Sequence, residues 1–297
     1  MSDRSPLRSS LFDALAAERP LQVVGAINAY FAILAERAGF RALYLSGAGV
    51  ANASRGLPDL GRIGLQDVLQ DTRRICDATR LPLLVDADTG LGGAGEIGRT
   101  IQALAQAGAA ALHLEDQSAA KRCGHRPGKR LVSTAEMADR IRAAVDARPD
   151  AAFAVMARTD AANVEGLQAA IDRACRYVEA GADMVFAEAL PSLDEYRRFT
   201  AAVSVPVLAN LTEFGRTPLF TLEEMAAVGV QLVLYPLSAF RAASAAAQKT
   251  YQTLRRQGTQ RGLLPIMQTR EELYEILNYE SQERQIDETL LSEEMRR

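Results

Sequence analysis

The stretch Ala180-Gly181-Ala182-Asp183-Met184-Val185-Phe186-Ala187-Glu188 shows the pattern that decides the fold. A helical segment ends near Gly181, a short apolar run follows, and an ionisable side chain, Glu188, closes the run. Glycine ends helices because it adopts a left-handed conformation at little cost. Short apolar runs are typical of parallel strands that are buried on both faces. The same pattern recurs at three other glycines, Gly39, Gly108 and Gly229.

Proline precedes two further apolar runs, within residues 81–86 and 205–210. Proline is well tolerated as the first residue of a strand. With two more runs, near the N-terminus and in mid-chain, these patterns predict eight strands. The strands lie within residues 21–25, 38–46, 81–86, 107–115, 153–158, 180–188, 205–210 and 228–235.

Amphipathic segments separate most of the predicted strands. Strands that alternate with helices imply βαβ units and a parallel sheet. Eight such units predict an α/β fold, a (β/α)8 barrel of the TIM type, and a doubly wound sheet is the alternative. The predicted helices span residues 29–38, 64–78, 95–107, 134–147, 166–180, 192–203 and 221–228.

The chain continues past the eighth strand with more helix than one barrel needs. Residues 238–257 and 270–283 are predicted to be helical, and residues 290–297 to form a solvated tail. Surplus helices at the end of a barrel commonly pack on another subunit or cover the mouth. We therefore expect a single barrel domain over residues 1–297, with residues 242–297 as its C-terminal helical extension.

The composition of the chain argues against some classes of binding partner. The 297 residues are 48% hydrophobic and carry a formal net charge of −3, without a basic block that would indicate nucleic acid. Three scattered cysteines do not form a disulfide framework. Residues 1–20 lack the apolar core of a signal peptide, and no uncharged apolar run is long enough to span a membrane. The expectation is a cytoplasmic protein without nucleic-acid or membrane partners.

Polar side chains cluster where the predicted strands end. In a parallel barrel the site lies at the carboxyl ends of the strands, so these side chains are expected to converge. They are Tyr44, Ser46, Asp86, Asp88, Glu115, Asp116, Arg158, Asp160, Glu188, Asn210, Thr212 and Tyr235.

One loop combines rare reactive residues with cations, in Lys121-Arg122-Cys123-Gly124-His125-Arg126-Pro127. Cys123 is one of three cysteines and His125 one of two histidines in the chain. Positive charge stabilises a thiolate, so we expect the Cys123 thiol to ionise more easily than a free one. The sequence predicts an acid/base or nucleophile loop over an anionic substrate. The alternative is a solvated basic loop with an incidental cysteine.

Asp86 and Asp88 form a candidate metal site. Side chains at i and i+2 of a strand point the same way, and two converging carboxylates need a cation or a proton. Oxygen ligands favour Mg²⁺, with Mn²⁺ possible. Glu115 and Asp59 are candidates for holding metal-bound water. In the alternative interpretation, Asp88 caps the glycine-rich turn at residues 89–93.

Three other residues have simpler interpretations. Cys76 and Cys175 lie in predicted helices and are interpreted as packing residues. His113 lies within a predicted strand and is interpreted as a hydrogen-bonded barrel residue. Among the arginines, Arg158 is the best candidate for a carboxylate clamp, because guanidinium binds carboxylates with two hydrogen bonds.

The Lys-Arg-Cys-Gly-His loop resembles the signature of the isocitrate lyase and phosphoenolpyruvate mutase superfamily. Further stretches narrow the resemblance to the branch that cleaves 2-methylisocitrate, and it extends over about residues 20–279. These stretches are Tyr44-Leu45-Ser46-Gly47, Gly56-Leu57-Pro58-Asp59-Leu60-Gly61, Asp86-Ala87-Asp88, Met156-Ala157-Arg158-Thr159-Asp160, Asn210-Leu211-Thr212-Glu213-Phe214-Gly215, Tyr235-Pro236-Leu237-Ser238-Ala239-Phe240-Arg241 and Met267-Gln268-Thr269-Arg270.

The resemblance implies Mg²⁺-dependent cleavage of a tricarboxylate, (2S,3R)-2-methylisocitrate, to pyruvate and succinate. This step ends the methylcitrate cycle of propionate catabolism. The resemblance also implies a homotetramer whose barrels exchange their last helix. By position, Asp86 and Asp88 would hold the metal, and Ser46, Gly47 and Arg158 the pyruvate part. The remaining substrate-binding set is Ala48, Gly124, His125, Glu188, Asn210, Leu211, Thr212, Arg241 and Arg270.

Three positions depart from the pattern of the branch. Ala48 stands where glycine is usual, Ala187 where proline is frequent, and Gly128 where asparagine is frequent. None of these changes removes an ionisable group, so they bear on specificity at C2 of the substrate. Phe186, Leu234 and Pro236 are interpreted as an apolar patch that accepts a methyl group.

The implied retro-aldol cleavage needs a base, a Lewis acid and a proton donor. Cys123 would protonate the succinate carbanion, and Tyr44, ionised beside the metal, or Glu115 acting through water would be the base. Two alternatives remain: another superfamily enzyme acting on dimethylmalate, isocitrate, oxaloacetate or phosphonopyruvate, and a non-catalytic barrel.

Overall fold

The computed structural model describes residues 10–92 and 94–294, and within them eight parallel strands close into a barrel. The strands pair in the order of the sequence, and β1 closes the barrel against β8. The prediction of a (β/α)8 barrel is therefore confirmed, against a doubly wound sheet. The strands are β1 Leu21–Gly25, β2 Ala42–Leu45, β3 Leu83–Asp86, β4 Ala111–Glu115, β5 Ala154–Thr159, β6 Met184–Ala187, β7 Val207–Asn210 and β8 Leu232–Tyr235.

Helices follow the strands as the periodicity predicts. They are α1 Leu11–Ala17, α2 Ala29–Arg37, α3 Gly47–Gly49, α4 Leu65–Ala78, α5 Ile97–Gln106, α6 Thr134–Ala147, α7 Leu167–Glu179, α8 Leu193–Ala202, α9 Leu222–Ala227, α10 Ser238–Gln257, α11 Arg270–Ile276 and α12 Tyr279–Glu294. A π-helical turn, Val50–Ser54, continues α3.

Two predictions about the C-terminal region were wrong. The helix predicted over residues 270–283 is two helices, because the backbone of Asn278 takes a positive φ of 49° between α11 and α12. Residues 290–294, predicted as tail, belong to α12. Residues 295–297 of that tail lie outside the described residues.

The barrel interior is a packed apolar core that separates the two ends of the strands. Inward-facing residues such as Val23, Met156 and Phe186 form one cluster, and the outer faces pack against the helices in two larger clusters. Every residue of β2 to β7 is buried. Most ionisable groups of the strands lie at or just after their carboxyl ends, where the predicted site lies, and His113 in the middle of β4 is an exception.

Helix α1, which the sequence interpretation missed, belongs to the same interior cluster. Leu11 and Leu15 pack with residues from the barrel interior. Ser10 caps the helix by accepting a hydrogen bond from the Asp13 amide, while Asp13 accepts from the Ser10 amide. Such a capping box was available in the sequence as a signal.

The chain divides after Arg241 into two compact units, the barrel and residues 242–297. The second unit holds most of α10, together with α11 and α12. Assignment of both units to one domain stays a prediction. Among the helices that the structure describes, none is long and apolar enough to cross a membrane.

Candidate active site

A cavity of about 420 Å³ opens at the carboxyl ends of the strands. Its size falls in the range of sites for small molecules. Most of the predicted strand-end residues line it, together with the loop at residues 121–127, here called the Cys loop. The lining side chains used below are Tyr44, Ser46, Ala48, Asp86, Glu115, Cys123, His125, Arg158, Glu188, Asn210, Thr212, Phe214, Pro236, Leu237 and Arg241.

Asp86 and Asp88 converge beside the amino end of α3, as the i, i+2 spacing predicts. Asp86 accepts hydrogen bonds from the backbone amides of Gly47 and Asp88, each at 3.0 Å. A Cβ at Gly47 would lie 3.1 Å from an oxygen of each carboxylate. Glycine therefore lets the backbone approach both acids. Asp88 takes a positive φ of 48°, which turns it back towards Asp86.

Lys121 supplies a counter-charge to this pair. Its Nζ binds the Asp88 carboxylate directly and lies 2.8 Å from Asp59 Oδ1. The observed partner of Asp88 is therefore a lysine of the Cys loop, which argues against the alternative that Asp88 serves to cap the following turn. Asp59, expected to hold metal-bound water, is instead paired with Lys121.

The charge state of the pair favours a further cation. Burial and the Asp86 charge raise the pKa of Asp88 to about 7. Burial would also raise the pKa of Asp86, but the positive charges of His113, Lys121 and Arg158 hold it well below its usual range. Nearby, the buried Glu115 Oε1 has no hydrogen-bond partner among the described residues. The two buried aspartates are oxygen ligands of the kind that a hard divalent cation prefers, while no group of three or more such ligands is found among the described residues.

Tyr44 and His113 form a stacked pair under the cavity. The Tyr44 hydroxyl lies 2.9 Å from His113 Nε2 and 3.4 Å from Asp86 Oδ2. His113 is fully buried and hydrogen-bonded, as its position in a strand predicts. Burial raises the pKa of Tyr44 well above its usual value and lowers the pKa of His113 to about 4. Tyr44 is therefore neutral at pH 7 in this charge environment, and it can ionise only beside an added cation.

Arg158 binds carboxylates, but those carboxylates belong to the protein. Its Nε lies 2.9 Å from Asp160 Oδ2 and its Nη2 lies 3.0 Å from Glu188 Oε2. The guanidinium also covers the Phe186 ring, 5.0 Å from its centroid. Burial opposes its charge, yet the pKa of Arg158 stays above its usual value because Asp160, Glu188 and Glu115 surround it.

The Cys loop is tied to the barrel through its backbone and side chains. Lys129 Nζ donates to the Gly124 carbonyl at 2.6 Å and to Asp160 Oδ1 at 2.8 Å. The Gln117 side chain bonds both the amide and the carbonyl of Arg122. A Cβ at Gly124 would lie 2.3 Å from Arg158 Nη2, so only glycine fits where the loop meets this arginine.

Cys123 faces the cavity, but its predicted ease of ionisation was wrong. Burial raises the pKa of the Cys123 thiol above its ordinary value, although the His125 amide and Arg158 act in the opposite direction. The nearest lysines do not stabilise a thiolate because Lys121 is paired with Asp88 and Asp59, and Lys129 with Asp160. The thiol is therefore protonated at neutral pH.

The comparisons with known proteins identify the family of the chain. The family model for phosphoenolpyruvate phosphomutase matches residues 12–255. The 2-methylisocitrate lyase of Salmonella typhimurium is 61% identical over 275 residues, which cover 92% of this chain and 93% of that protein. The chain belongs to the 2-methylisocitrate lyase family. The family lies within the phosphoenolpyruvate mutase and isocitrate lyase superfamily.

Solved structures of related enzymes superpose on this chain. The structure of a 2,3-dimethylmalate lyase superposes with a TM-score of 0.85 at 31% identity, covering 94% of this chain and 95% of that one. A phosphonopyruvate hydrolase in complex with oxalate and Mg²⁺ superposes with a TM-score of 0.81 at 30% identity, covering 92% and 95%.

The residues carried over from the 2-methylisocitrate lyase family separate into two groups. Most lie around the cavity, and Gly47 lies just beneath it against the two aspartates. Leu211 does not line it: the side chain is buried among the residues that face the outer helices. Any contact of Leu211 with substrate would have to come from its backbone. Arg270 lies in the second unit, where it begins α11, and its role stays a prediction.

The apolar patch expected for a methyl group is also placed differently. Phe186 and Leu234 are buried in the barrel interior, because residues of β6 and β8 that face inward lie below the strand ends. Pro236 does line the cavity. The apolar part of the wall comes instead from Pro236, Ala48, Phe214 and Leu237.

Several residues around the site were missed from the sequence. Lys121 and Lys129 were not predicted to pair with the acids of the site, because their carboxylate partners are far away in the chain. Arg216, which contacts His125, carried no local signal. Gln117 was not considered, although it directly follows the strand-end residue Asp116.

Proposed function

We propose that this protein cleaves (2S,3R)-2-methylisocitrate to pyruvate and succinate. The observation that carries the proposal is that Cys123 and Asp86 line one cavity, with Asp88 beside Asp86 at its edge. The high identity to 2-methylisocitrate lyases supports the choice of substrate. A thiol of raised pKa is suited to donate a proton to a carbanion.

Asp86 and Asp88 would hold the metal, Mg²⁺ or alternatively Mn²⁺. When bound, the ion supplies positive charge that stabilises an alkoxide and a keto acid. The structure of the phosphonopyruvate hydrolase with Mg²⁺ supports a metal in this fold.

Different residues of the protein are proposed to accept and to donate the protons of the reaction. A base takes the proton of the C2 hydroxyl, the C2–C3 bond breaks, and the electron pair stays on C3 of the succinate fragment. Cys123 gives its proton to C3 and is left as thiolate. Glu115 is the better candidate for the base, acting through water, because its Oε1 has no hydrogen-bond partner among the described residues. Burial raises the pKa of Glu115, and the nearby Arg158 charge favours the ionised form in which the carboxylate can accept a proton.

Ser46 and Gly47 are proposed to hold the pyruvate part, with Arg158 beside it. The Ser46 hydroxyl accepts a hydrogen bond from the Gly49 amide at 3.2 Å, so its proton is available to a ligand. The other cavity residues carried over from the family, His125, Glu188, Asn210, Thr212 and Arg241, would position the succinate part. The Asn210 Oδ1 has no partner among the described residues.

The C2 methyl group is proposed to contact Ala48, Pro236 and Leu237, the apolar wall of the cavity. Ala187 and Gly128, two further departures from the family pattern, do not line the cavity, so their influence on specificity would be indirect. Isocitrate, which lacks the methyl group, should be a poorer substrate.

A homotetramer with exchanged C-terminal helices is proposed as the working form. Large apolar side chains of the second unit are exposed, including Tyr251 at 72%, Ile266 at 61% and Leu291 at 60%. Exposed apolar side chains in such number are typical of association surfaces. A cytoplasmic location and a place in propionate catabolism complete the proposal.

A direct assay tests the function. The protein is incubated with Mg²⁺ and 2-methylisocitrate, isocitrate, dimethylmalate or oxaloacetate, and the keto acid or oxalate product is measured. Preferred turnover of 2-methylisocitrate supports the proposal. Preference for another acid would assign the protein to another reaction of the superfamily, and no turnover of any would favour a non-catalytic barrel.

A further inference from the structure

Arg216 joins several loops at the rim of the cavity, although the proposed chemistry does not use it. It lies in the connection between β7 and α9, and its side chain is exposed. Its Nη1 donates to Asn163 Oδ1 at 2.8 Å, and its Nε donates to the His125 carbonyl at 3.3 Å. Asn163 in turn donates to the Ala189 carbonyl at 3.1 Å. One guanidinium therefore connects the loops that follow β4, β5 and β7.

The backbone of the same segment also contacts the His125 ring. The Arg216 amide donates to His125 Nδ1 at 2.9 Å. A ring nitrogen that accepts a hydrogen bond carries no proton, so the proton of the imidazole lies on Nε2. That nitrogen is 2.8 Å from Glu188 Oε1, to which it donates. The contact thus fixes both the orientation and the tautomer of His125.

Gly215 makes this approach possible. A Cβ at Gly215 would lie 2.9 Å from both Cε1 and Nδ1 of His125, and 2.8 Å from Thr212 Cγ2. Such distances are shorter than ordinary van der Waals contact. The two loops are therefore in close contact at this point, and the contact includes directed hydrogen bonds as well as packing.

We propose that Arg216 is a positioning residue that holds the Cys loop docked over the cavity. His125 is two residues from Cys123, so its anchorage limits the movement of the thiol. A guanidinium suits this task because it donates several hydrogen bonds in a fixed planar arrangement, which lysine cannot reproduce. The inference deepens the proposed function, since it assigns Arg216 to the loop that carries the proposed proton donor.

Limited proteolysis with trypsin measures the docking without any turnover. Arg122 in the Cys loop is exposed and can be cut by trypsin, whereas the Arg126–Pro127 bond resists it, and cleavage requires the loop to leave the barrel. When opening is fast relative to cleavage, the cleavage rate follows the open population. Arg216→Ala removes two side-chain hydrogen bonds, so the loop should be cut about 3- to 10-fold faster. Mass spectrometry identifies cuts within residues 121–130.

Arg197→Ala is the matched control, because it removes an exposed arginine whose observed partner is Asp194 in the same helix. Its loop cleavage rate should equal that of the parent protein. Equal rates for Arg216→Ala and Arg197→Ala would overturn the proposal. Thermal unfolding of both variants should stay near that of the parent, since neither arginine lies in the core; a large loss in Arg216→Ala would mean a general structural role and would also overturn it.

A double-mutant cycle with Asn163→Ala tests the contact itself. If Arg216 acts through Asn163, the double variant should open the loop by clearly less than the product of the two single effects. Independent, multiplicative effects would contradict the contact. With 2-methylisocitrate, Arg216→Ala should raise KM more than it lowers kcat, because saturating substrate closes the loop through its own contacts. A fall in kcat with unchanged KM would place Arg216 in the chemical step instead.

Failure of the proposed function and failure of this inference give different results. If no acid is turned over but Arg216→Ala still accelerates loop cleavage, the docking role stands and the reaction assignment falls. If 2-methylisocitrate is cleaved but loop proteolysis is unchanged, the reaction stands and the role of Arg216 falls. Gly215→Ala offers an independent perturbation, since its methyl group should displace the His125 ring and accelerate cleavage as well.

Discussion

Gly124→Ala should disable the site while leaving the barrel folded. An added Cβ would lie 2.3 Å from Arg158 Nη2 and 2.7 Å from both Cγ and Cδ of Glu188. Carbon contacts are favourable at about 3.5–4.0 Å, so the overlap is about 1 Å. Arg158 cannot easily retreat, because Asp160 and Glu188 hold it. The Cys loop must therefore lift away from the barrel.

Overpacking of this kind costs about 1–3 kcal/mol. If the cost falls on the closed, reactive arrangement, kcat/KM decreases about 5- to 150-fold. The assay is keto-acid release from 2-methylisocitrate with Mg²⁺, with circular dichroism as a check on the fold. Gly98→Ala in α5 is the matched control, because its Cβ would meet Ala147 at an ordinary 3.4 Å. Unchanged kcat/KM for Gly124→Ala would refute the docked position of the loop during turnover.

Three further outcomes are expected. Cys123→Ser should keep substrate binding but lose about 10²- to 10⁴-fold in kcat, because a hydroxyl is a poorer proton donor than a thiol. Cys76→Ser is the control. Normal turnover of Cys123→Ser would mean that another group donates the proton. EDTA should abolish turnover and Mg²⁺ should restore it. The heat of Mg²⁺ binding measured by calorimetry should be lost in Asp88→Ala. Full activity of metal-free protein would contradict the metal assignment. Sedimentation should show a tetramer at micromolar concentration, and a monomer would contradict the proposed assembly.

The barrel was predictable because its signals are local. Glycine or proline before six of the eight apolar runs marks where a strand begins, and the polar residue after the run marks where the strand ends. The strands of the structure agree with these positions within a few residues. Alternation also explains why Asn210 and Thr212 reach the cavity while Leu211, between them, faces the helices.

The electrostatics of the site were not predictable from local sequence. The ionisation of Cys123 depends on where the neighbouring cations find their partners, and those partners lie far away along the chain. Lys121 is paired with Asp59 and Asp88, and Lys129 with Asp160. A basic stretch in sequence is therefore not a basic environment in the fold. Ion pairs formed in the fold neutralise the lysine charges from which an easily ionised Cys123 thiol was predicted.

Because of this pairing, docking of the Cys loop over the cavity depends on which charged groups it pairs with. The Cys loop and the residues that follow it deliver Lys121 to Asp88 after β3, His125 to Glu188 after β6, and Lys129 to Asp160 after β5. Lifting this segment would remove one partner from each of three buried acids, which is costly. A tricarboxylate substrate brings further negative charge to the same place. A divalent cation bound by Asp86 and Asp88 would compete with Lys121 for the Asp88 carboxylate, so binding of metal should be coupled to the position of the Cys loop.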